Sequence, residues 1–466
     1  MKTIIKRELM DHLKSIQFAV LLVFSIVLFS ANGIIFINKY NQLNSTYNQK
    51  MARLNYNRST THLYLYRKPN PLLFLAEGGD LDRPADYILR PKGQLSAIPP
   101  RPRDFKLPDI PKLDWSFIIK TIFSLYVILL GFSGISEEKE KGTLRLVLSN
   151  SFSRVRLLTA KYLTILAVTF VPLLVGFVIN LVIFAIFPPQ TLTVGHLSNI
   201  FLMLLLSMAY LSLFAFLSLF FSSLIPRSSL VLLVLLAAWV LFAVIIPDTS
   251  GILSQKFSKV PSEYQTAKNL EPFVQKEVWD RIQKIQQRIN KGELRTEEEV
   301  RKETDQAFEE GQDKMKFYYK SYEDSMKQRT LLAQNLSRLS PASLFQYASE
   351  DIAQAGIHRE EEFLKDSQNF SRIYDQYILK KVGKLTGVSG WSFGDTLTLN
   401  GKKIEIHSPE PEEYRGDMSD FPKFVELGPS LSLVLKHALG DIAGLILWNL
   451  ALAVLAFAAF LRADVR

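Results

Sequence analysis

Charged residues crowd into one short stretch of this 466-residue chain, residues 137–161, and the search for chemistry starts there. It opens Glu137-Glu138-Lys139-Glu140-Lys141-Gly142-Thr143-Leu144 and runs through Arg145, Leu146, Arg154 and Arg156 to Lys161. Acids and bases alternate, a glycine breaks the pattern, and Leu144, Val147 and Leu148 follow at helical spacing as an amphipathic run. Without context the same pattern describes a solvated loop with a positive-inside bias. It holds no nucleophile paired with a base. The rest of the inventory is thin. His12, His62, His196, His358, His407 and His437 are scattered, and no pair has helical metal spacing. With no cysteine, disulfides, zinc–thiolate sites and thiol nucleophiles are excluded. The carboxylates of residues 297–299 and 360–362 fit solvated helix faces, with nothing to support a hydrolytic dyad. There is no G-x-x-x-x-G-K-[ST] phosphate loop: Gly134 and Gly142 are wrongly spaced, and neither is followed by Lys-Ser or Lys-Thr. The chain does not bind ATP by that device.

The elements that must position this stretch are apolar. Runs long enough to cross a bilayer lie on either side of it, residues 115–135 and 162–187. Four more follow the same rule: 16–37, 200–225, 230–246 and 440–461. Inside them Gln17, Asn32, Asn180 and Asn449 face either a substrate path or a partner helix. Lys120 sits one turn into the second run and has the reach to snorkel outward. Pro172 predicts a kink. Residues 1–14 alternate Ile4, Ile5, Leu9, Met10 and Leu13 with Lys2, Lys6, Arg7 and Lys14, which suits a helix lying on a lipid surface. The first apolar run looks like a signal sequence at its start. It continues to Ile37 without a small-residue cleavage site, so it reads as a retained span. Lys and Arg populate the N-terminal segment, the connector, the Arg227 turn and the C-terminal residues, whereas the loop 188–199 has none. The short loops therefore place both termini and the connector in the cytoplasm. The net charge of +10 then reflects basic cytoplasmic ends facing anionic lipid, and nucleic acid is not expected as a partner.

Two long segments remain. In 38–114, Leu43, Tyr47, Met51 and Leu54 continue the first span as an amphipathic helix, and 61–66 alternates like a strand. From Pro69 to Pro111 nine prolines predict an extended strap, with Leu72, Leu73, Phe74 and Leu75 held against another surface. In 247–438 a helix starts at Glu271-Pro272 and reaches 290. A capping box at residues 296–299 opens a long helix with Phe308, Met315 and Tyr322 seven apart. Further helices run from Ser340-Pro341 to 355 and over 359–384. Residues 396–406 form a hairpin with a type I′ turn at Asn400-Gly401, and 431–439 is a short helix at the membrane face. The expected fold is an α-helical membrane protein: six transmembrane helices with a mostly helical α+β extracytoplasmic domain between spans five and six. Its divisions are 1–37, 38–114, 115–246 with the connector 136–161, 247–438, and 439–466.

Glu138-x-Glu140-x-Gly142-Thr143-Leu144, followed by Leu146, Leu148-Ser149, Arg154, Leu157-Leu158 and Lys161, resembles the first cytoplasmic loop of type 2 ABC (ATP-binding cassette) transporter permeases. The large outer segments are similar to the branch containing gliding-motility and copper-enzyme-maturation permeases. The chain departs from the family at Asn150-Ser151, where a proline is common, and at Arg145, where an acid is common. The resemblance implies that the connector holds a coupling helix seated in a groove of a separate ABC ATPase subunit, with Glu138, Glu140, Gly142, Thr143 and Leu144 as the ATPase-coupling residues. It implies that the elbow helix of residues 1–14 touches the same subunit. It also implies a second permease copy or a related permease as partner. ATP and Mg would reside on the ATPase, leaving no cofactor and no catalytic residue in this chain. The location implied is the bacterial cytoplasmic (inner) membrane. The work implied is export, flipping or extraction of a substrate, or mechanical work on an extracytoplasmic protein. The alternative from another class is a membrane-anchored sensor or assembly scaffold, which six spans and little cytoplasmic mass disfavour.

Overall fold

The computed structural model describes residues 2–56, 58–98, 113–149, 153–187, 194–257, 263–383, 385, 392–407 and 413–463. Among them six helices are long and apolar enough to cross a bilayer: Ile16–Leu54, Trp115–Glu140, Arg154–Ile186, Gly195–Leu224, Ser228–Phe257 and Leu431–Arg462. These are spans one to six. Most outrun the lipid, since 30 helical residues measure about 45 Å against a hydrocarbon core of about 30 Å. This length corrects two boundaries. Span six begins at Leu431, so the short helix expected before Gly440 is its first turns; Gly440 has open space around it and interrupts nothing. Span five does not stop before Pro247. A π-helical segment, Leu241–Ile245, leads into Ile246–Phe257. Pro247 is thus the second residue of a fresh α-helical segment, where a missing N–H costs least. Span two carries a second π segment, Ile118–Phe123.

The spans gather the connector, the elbow helix (Lys2–Leu13) and the last turn of span six at one end, here the connector end. Spans one to three close around aromatic rings, with Trp115 and Phe177 3.8 Å apart between centroids. Gly176 is needed there: a Cβ would lie 2.3 Å from the Phe29 ring. The polar residues of the spans pack helices together. Asn180 donates to Asn32 Oδ1 at 2.8 Å and to the Phe29 carbonyl at 2.7 Å, and Asn449 donates to the Ala209 carbonyl at 2.9 Å. The amide N–H groups are thus paired inside the bundle, while the Asn180 and Asn449 side-chain oxygens are buried without a hydrogen-bond partner.

Two elements fill the distal end. Residues 72–76 are buried as a wedge between spans one, two and three. The Phe74 and Leu75 carbonyls accept from Trp115 N and Ser116 N at 3.0 and 2.9 Å, and the Phe74 ring meets Phe36, Trp115 and Phe184. A plug helix, Pro341–Ile352, fits among spans two, four, five and six. Phe345 stacks on Tyr210 at 4.5 Å, Asn199 donates to the Ile352 carbonyl at 2.6 Å, and Ser340 donates to the Phe242 carbonyl.

Beyond the bundle the strap holds more structure than its prolines predict. β1 (Leu63–Tyr66), β2 (Asp86–Arg90) and β3 (Gln94–Ile98) form an antiparallel sheet in that order. Its inner residues Leu63, Leu65, Tyr87 and Leu89 share a core with Phe363, Phe370, Tyr374 and Tyr377 of helix Ile357–Val382. The sheet is stable because it borrows a face from the later segment. Asp80 fastens the two segments, accepting from Arg359 at 2.9 Å with Arg67 3.4 Å away, all buried. Prolines 99, 100, 102, 108 and 111 lie outside the described residues. Farther out, helix Glu263–Asn290 carries Pro272 inside it, which corrects the start expected there; nothing in the structure explains its tolerance. Thr296 opens helix Glu297–Ser337 with the expected capping box. β4 (Ser392–Leu399) and β5 (Lys402–His407) pair across Asn400 and Gly401, whose φ of 50° and 81° match a type I′ turn. Leu397, Leu399 and Ile404 pack the hairpin on Val278, Ile282 and Phe308.

Candidate functional site

The connector is two short helices, Ser136–Glu140 and Leu144–Ser149, broken at Gly142. Gly142 has φ 69°, a left-handed conformation that glycine adopts freely, and nothing lies within 4 Å of where a Cβ would project. Lys141, Gly142 and Thr143 are exposed, and Leu146 is 68% exposed beside them. Leu144 points inward at 2% exposure. The side chains of Val147 and Leu148, and residues Asn150 and Ser151, lie outside the described set.

The two glutamates expected to face a partner are held by this chain. Glu138 Oε1 accepts from Lys161 Nζ at 2.8 Å, and the same ammonium donates to Glu8 of the elbow helix at 2.8 Å. Lys161 keeps only 8% side-chain exposure between carboxylates that keep 25% and 22%. The triad therefore carries one net negative charge. Glu138 Oε2 is buried without a hydrogen-bond partner. Glu140 accepts from Ser228 N at 3.2 Å and Ser228 Oγ at 3.0 Å, capping the start of span five, where the helix dipole favours an acid. Glu137 pairs with Lys141 at 2.5 Å on the surface, and the Thr143 hydroxyl donates to the Glu138 carbonyl at 3.3 Å.

Further bonds fix the connector to the remaining span ends. Ile135 N and Ser136 N both donate to Ser222 Oγ at 2.9 Å, and Lys139 donates to the Ser223 carbonyl, both at the end of span four. Arg154, opening span three, donates to the carbonyls of Phe460, Leu461 and Ala463 at 3.2, 2.8 and 2.9 Å. The connector region thus meets spans three, four, five and six and the elbow helix at once. Sequence reading named Lys161 and Arg154 but missed what they hold, and missed Glu8, Ser222 and Ser228. The available signal was an acid inside a basic amphipathic segment and a lysine at the start of an apolar helix.

The model of the family described as ABC-2 family transporter protein matches residues 2–465. The chain belongs to the ABC-2 transporter family. Among curated proteins none matches it. This ABC-2 chain is accordingly a multi-pass membrane protein and a permease subunit of an ABC transporter, a family that works with an ABC ATPase.

Elsewhere in the permease, Lys120 does not snorkel outward. Its ammonium donates to Gln346 of the plug helix at 3.1 Å. His358 and His437 stack with ring centroids 4.0 Å apart and line a small cleft with Asp351 and Glu362. Among the described residues no group of three or more His, Asp or Glu forms a metal site.

Proposed function

We propose that this permease couples ATP hydrolysis on a separate ATPase subunit to movement of its spans, and that residues 141–146 are the face the ATPase grips. The observation that carries the reading is the contrast within the connector. One side is bonded to the ends of spans three to six and to the elbow helix. The other presents an open glycine turn with Leu146 at 68% exposure. A leucine side chain this exposed gains from burial in a groove, about 1.5–3 kcal/mol when fully covered. Glu138, Glu140 and Leu144 then act from behind, setting the angle of the turn, while Gly142 and Thr143 lie in the contact.

The orientation follows the basic residues: connector and both termini cytoplasmic, 38–114 and 247–438 outside, in a bacterial inner membrane. A second permease copy or a related chain completes the pair. The work done is export, flipping or extraction of a substrate, or force on an outer protein. The test is Leu146→Glu beside Leu144→Ala, with co-purification of the ATPase and its turnover in nanodiscs as readouts. Leu146→Glu should fold normally and lose the ATPase; Leu144→Ala should instead lower stability. Full binding and turnover in Leu146→Glu would sink the assignment of this face.

A further inference from the structure

The plug helix is seated by apolar contacts and satisfied hydrogen bonds except at one seam. Where it meets span two and the strap, a single amide separates a lysine from a carboxylate. Gln346 Oε1 accepts from Lys120 Nζ at 3.1 Å and from Ser116 Oγ at 3.0 Å, and Gln346 Nε2 donates to Glu350 Oε1 at 2.8 Å. Lys120 lies within the π segment of span two, whose loosened backbone lets the Lys120 carbonyl accept from Tyr210 at 3.1 Å and from Ser124. Glu350 is enclosed by the strap: a Cβ on Gly78 would come 2.6 Å from its Cγ, and Gly78 has φ 54°. Among the described residues no cation pairs with Glu350 directly.

We propose that Glu350 is a proton-binding site that latches the plug helix into the distal end of the bundle, with Gln346 holding it apart from Lys120. Neutral, the carboxyl accepts a hydrogen bond from the Gln346 amide and rests under Gly78. Ionised, it faces like charge from Asp114 of the strap and Asp351 of its own helix, both buried. Arg83 of the strap and Lys120 of span two are the cations in range, and Lys120 also answers to Asp114 and to Asp248 of span five. Tyr347 is the remaining titratable neighbour. An uncompensated carboxylate there is relieved when the plug moves off the strap and admits water. Burial pushes Glu350 up to about 7, with Gln346 and Arg83 pulling the other way. A carboxyl raised in the seated state binds its proton more tightly there than in water. The latch therefore holds firmly at low pH and loosens as pH rises through about 7.

The natural absence of cysteine makes the test clean. Ala348, fully buried on the plug, becomes the single cysteine in the full-length chain in nanodiscs, and exposed Ser321→Cys serves as reference. The rate of labelling by an impermeant maleimide, divided by the reference rate, cancels thiol ionisation. The ionised fraction of a group titrating near 7 rises from about a tenth at pH 6 to about nine-tenths at pH 8, so the ratio should rise about tenfold. Glu350→Gln should stay flat across this range, at or below the wild-type pH 6 value. Lys120→Met should move the midpoint upward, because the ionised form loses a cation; a merely structural role would change the level without moving the midpoint. A flat wild-type ratio, or a tenfold rise that survives Glu350→Gln, overturns the proposal. If Glu350→Gln does not fold, an unmoved midpoint in Lys120→Met overturns it alone. None of these readouts depends on the ATPase.

Discussion

Replacing Lys161 by methionine tests the triad most directly. Methionine fills a similar volume and removes the charge, leaving Glu8 and Glu138 facing each other across a site with 8% exposure at its centre. Removing one partner of a buried pair costs about 3–5 kcal/mol. Here the carboxylates keep 22% and 25% exposure and turn partly to water, so about 2–3 kcal/mol is expected. One kcal/mol moves Tm by about 2–4 °C in a unit of 150–250 residues, so the permease in nanodiscs should melt about 4–12 °C lower. The elbow helix should also detach, read as faster proteolysis in residues 1–14. Neutralising all three groups, Glu8→Gln, Lys161→Met and Glu138→Gln, leaves no unpaired charge and should recover most of the stability. If ATPase stimulation stays low in the melting-restored triple variant, the ion pairs transmit motion beyond their effect on folding. A single Lys161→Met variant melting within about 1 °C of wild type would refute the reasoning, because it would mean that Lys161 is not holding two half-buried carboxylates.

Burial pushes Asp114 up to about 6 and Asp351 up to about 7, with Asp441 and Glu350 adding to the latter. Folded values above the unfolded ones mean stability that is full below about pH 4 and lost as pH rises through 6 to 7, so Tm should fall from pH 5 to pH 8 and fall less in Asp351→Asn. A Tm that rises over this range would reverse the assignment. Gly401→Val meets open space but keeps φ 81°, and should destabilise the hairpin by about 1 kcal/mol, seen as new protease cleavage near residue 400 of the full chain. Uncut hairpins at wild-type rates would show the turn relaxes. Exposed Ser198 and Ser321, as single cysteines, should react with an impermeant maleimide in intact cells, while Thr143→Cys should react only after lysis; the opposite pattern inverts the topology. Ser59 is unsuitable for this purpose, being 6% exposed and hydrogen-bonded to Thr61.

The spans were legible because lipid imposes a length and an apolar composition that no other solvent demands. The Thr296 capping box and the Asn400-Gly401 turn were legible because local backbone geometry dictates those residues. What escaped the sequence was every pairing between distant residues. Glu138 and Glu140 read as partner-facing because exposed acids on a charged loop look alike, yet Lys161 and Ser228 claim them from 23 and 88 residues away. The strap read as extended because the face that makes it a sheet, Phe363 to Tyr377, comes nearly 300 residues later. The plug helix read as an ordinary helix of the outer segment, because neither its charge pattern nor its length shows that spans two, four, five and six enclose it.

The two ends of the bundle are built from the same kind of bond, with different outcomes. At the connector end the contacts go to groups that helix ends leave unpaired: the N–H of Ser228 and the carbonyls of Ser223, Phe460 and Leu461. Such groups at a membrane boundary have few other partners, so these bonds tie the connector to the span ends. On the coupling proposed above, helices of about 30 residues would carry a displacement of the connector roughly 45 Å to the distal end. There the wedge is tied by backbone bonds from Phe74 and Leu75, and most of the plug by stacked rings and satisfied donors. The Lys120–Gln346–Glu350 seam differs, since a neutral amide stands between the lysine and the carboxyl, and burial and nearby acids oppose ionisation of the latter. On the proposed coupling, a push along span two would reach Lys120 first among the residues of that seam. The contact with least to lose by opening is the one the connector addresses through a single helix, which makes the plug the element of the distal end expected to yield.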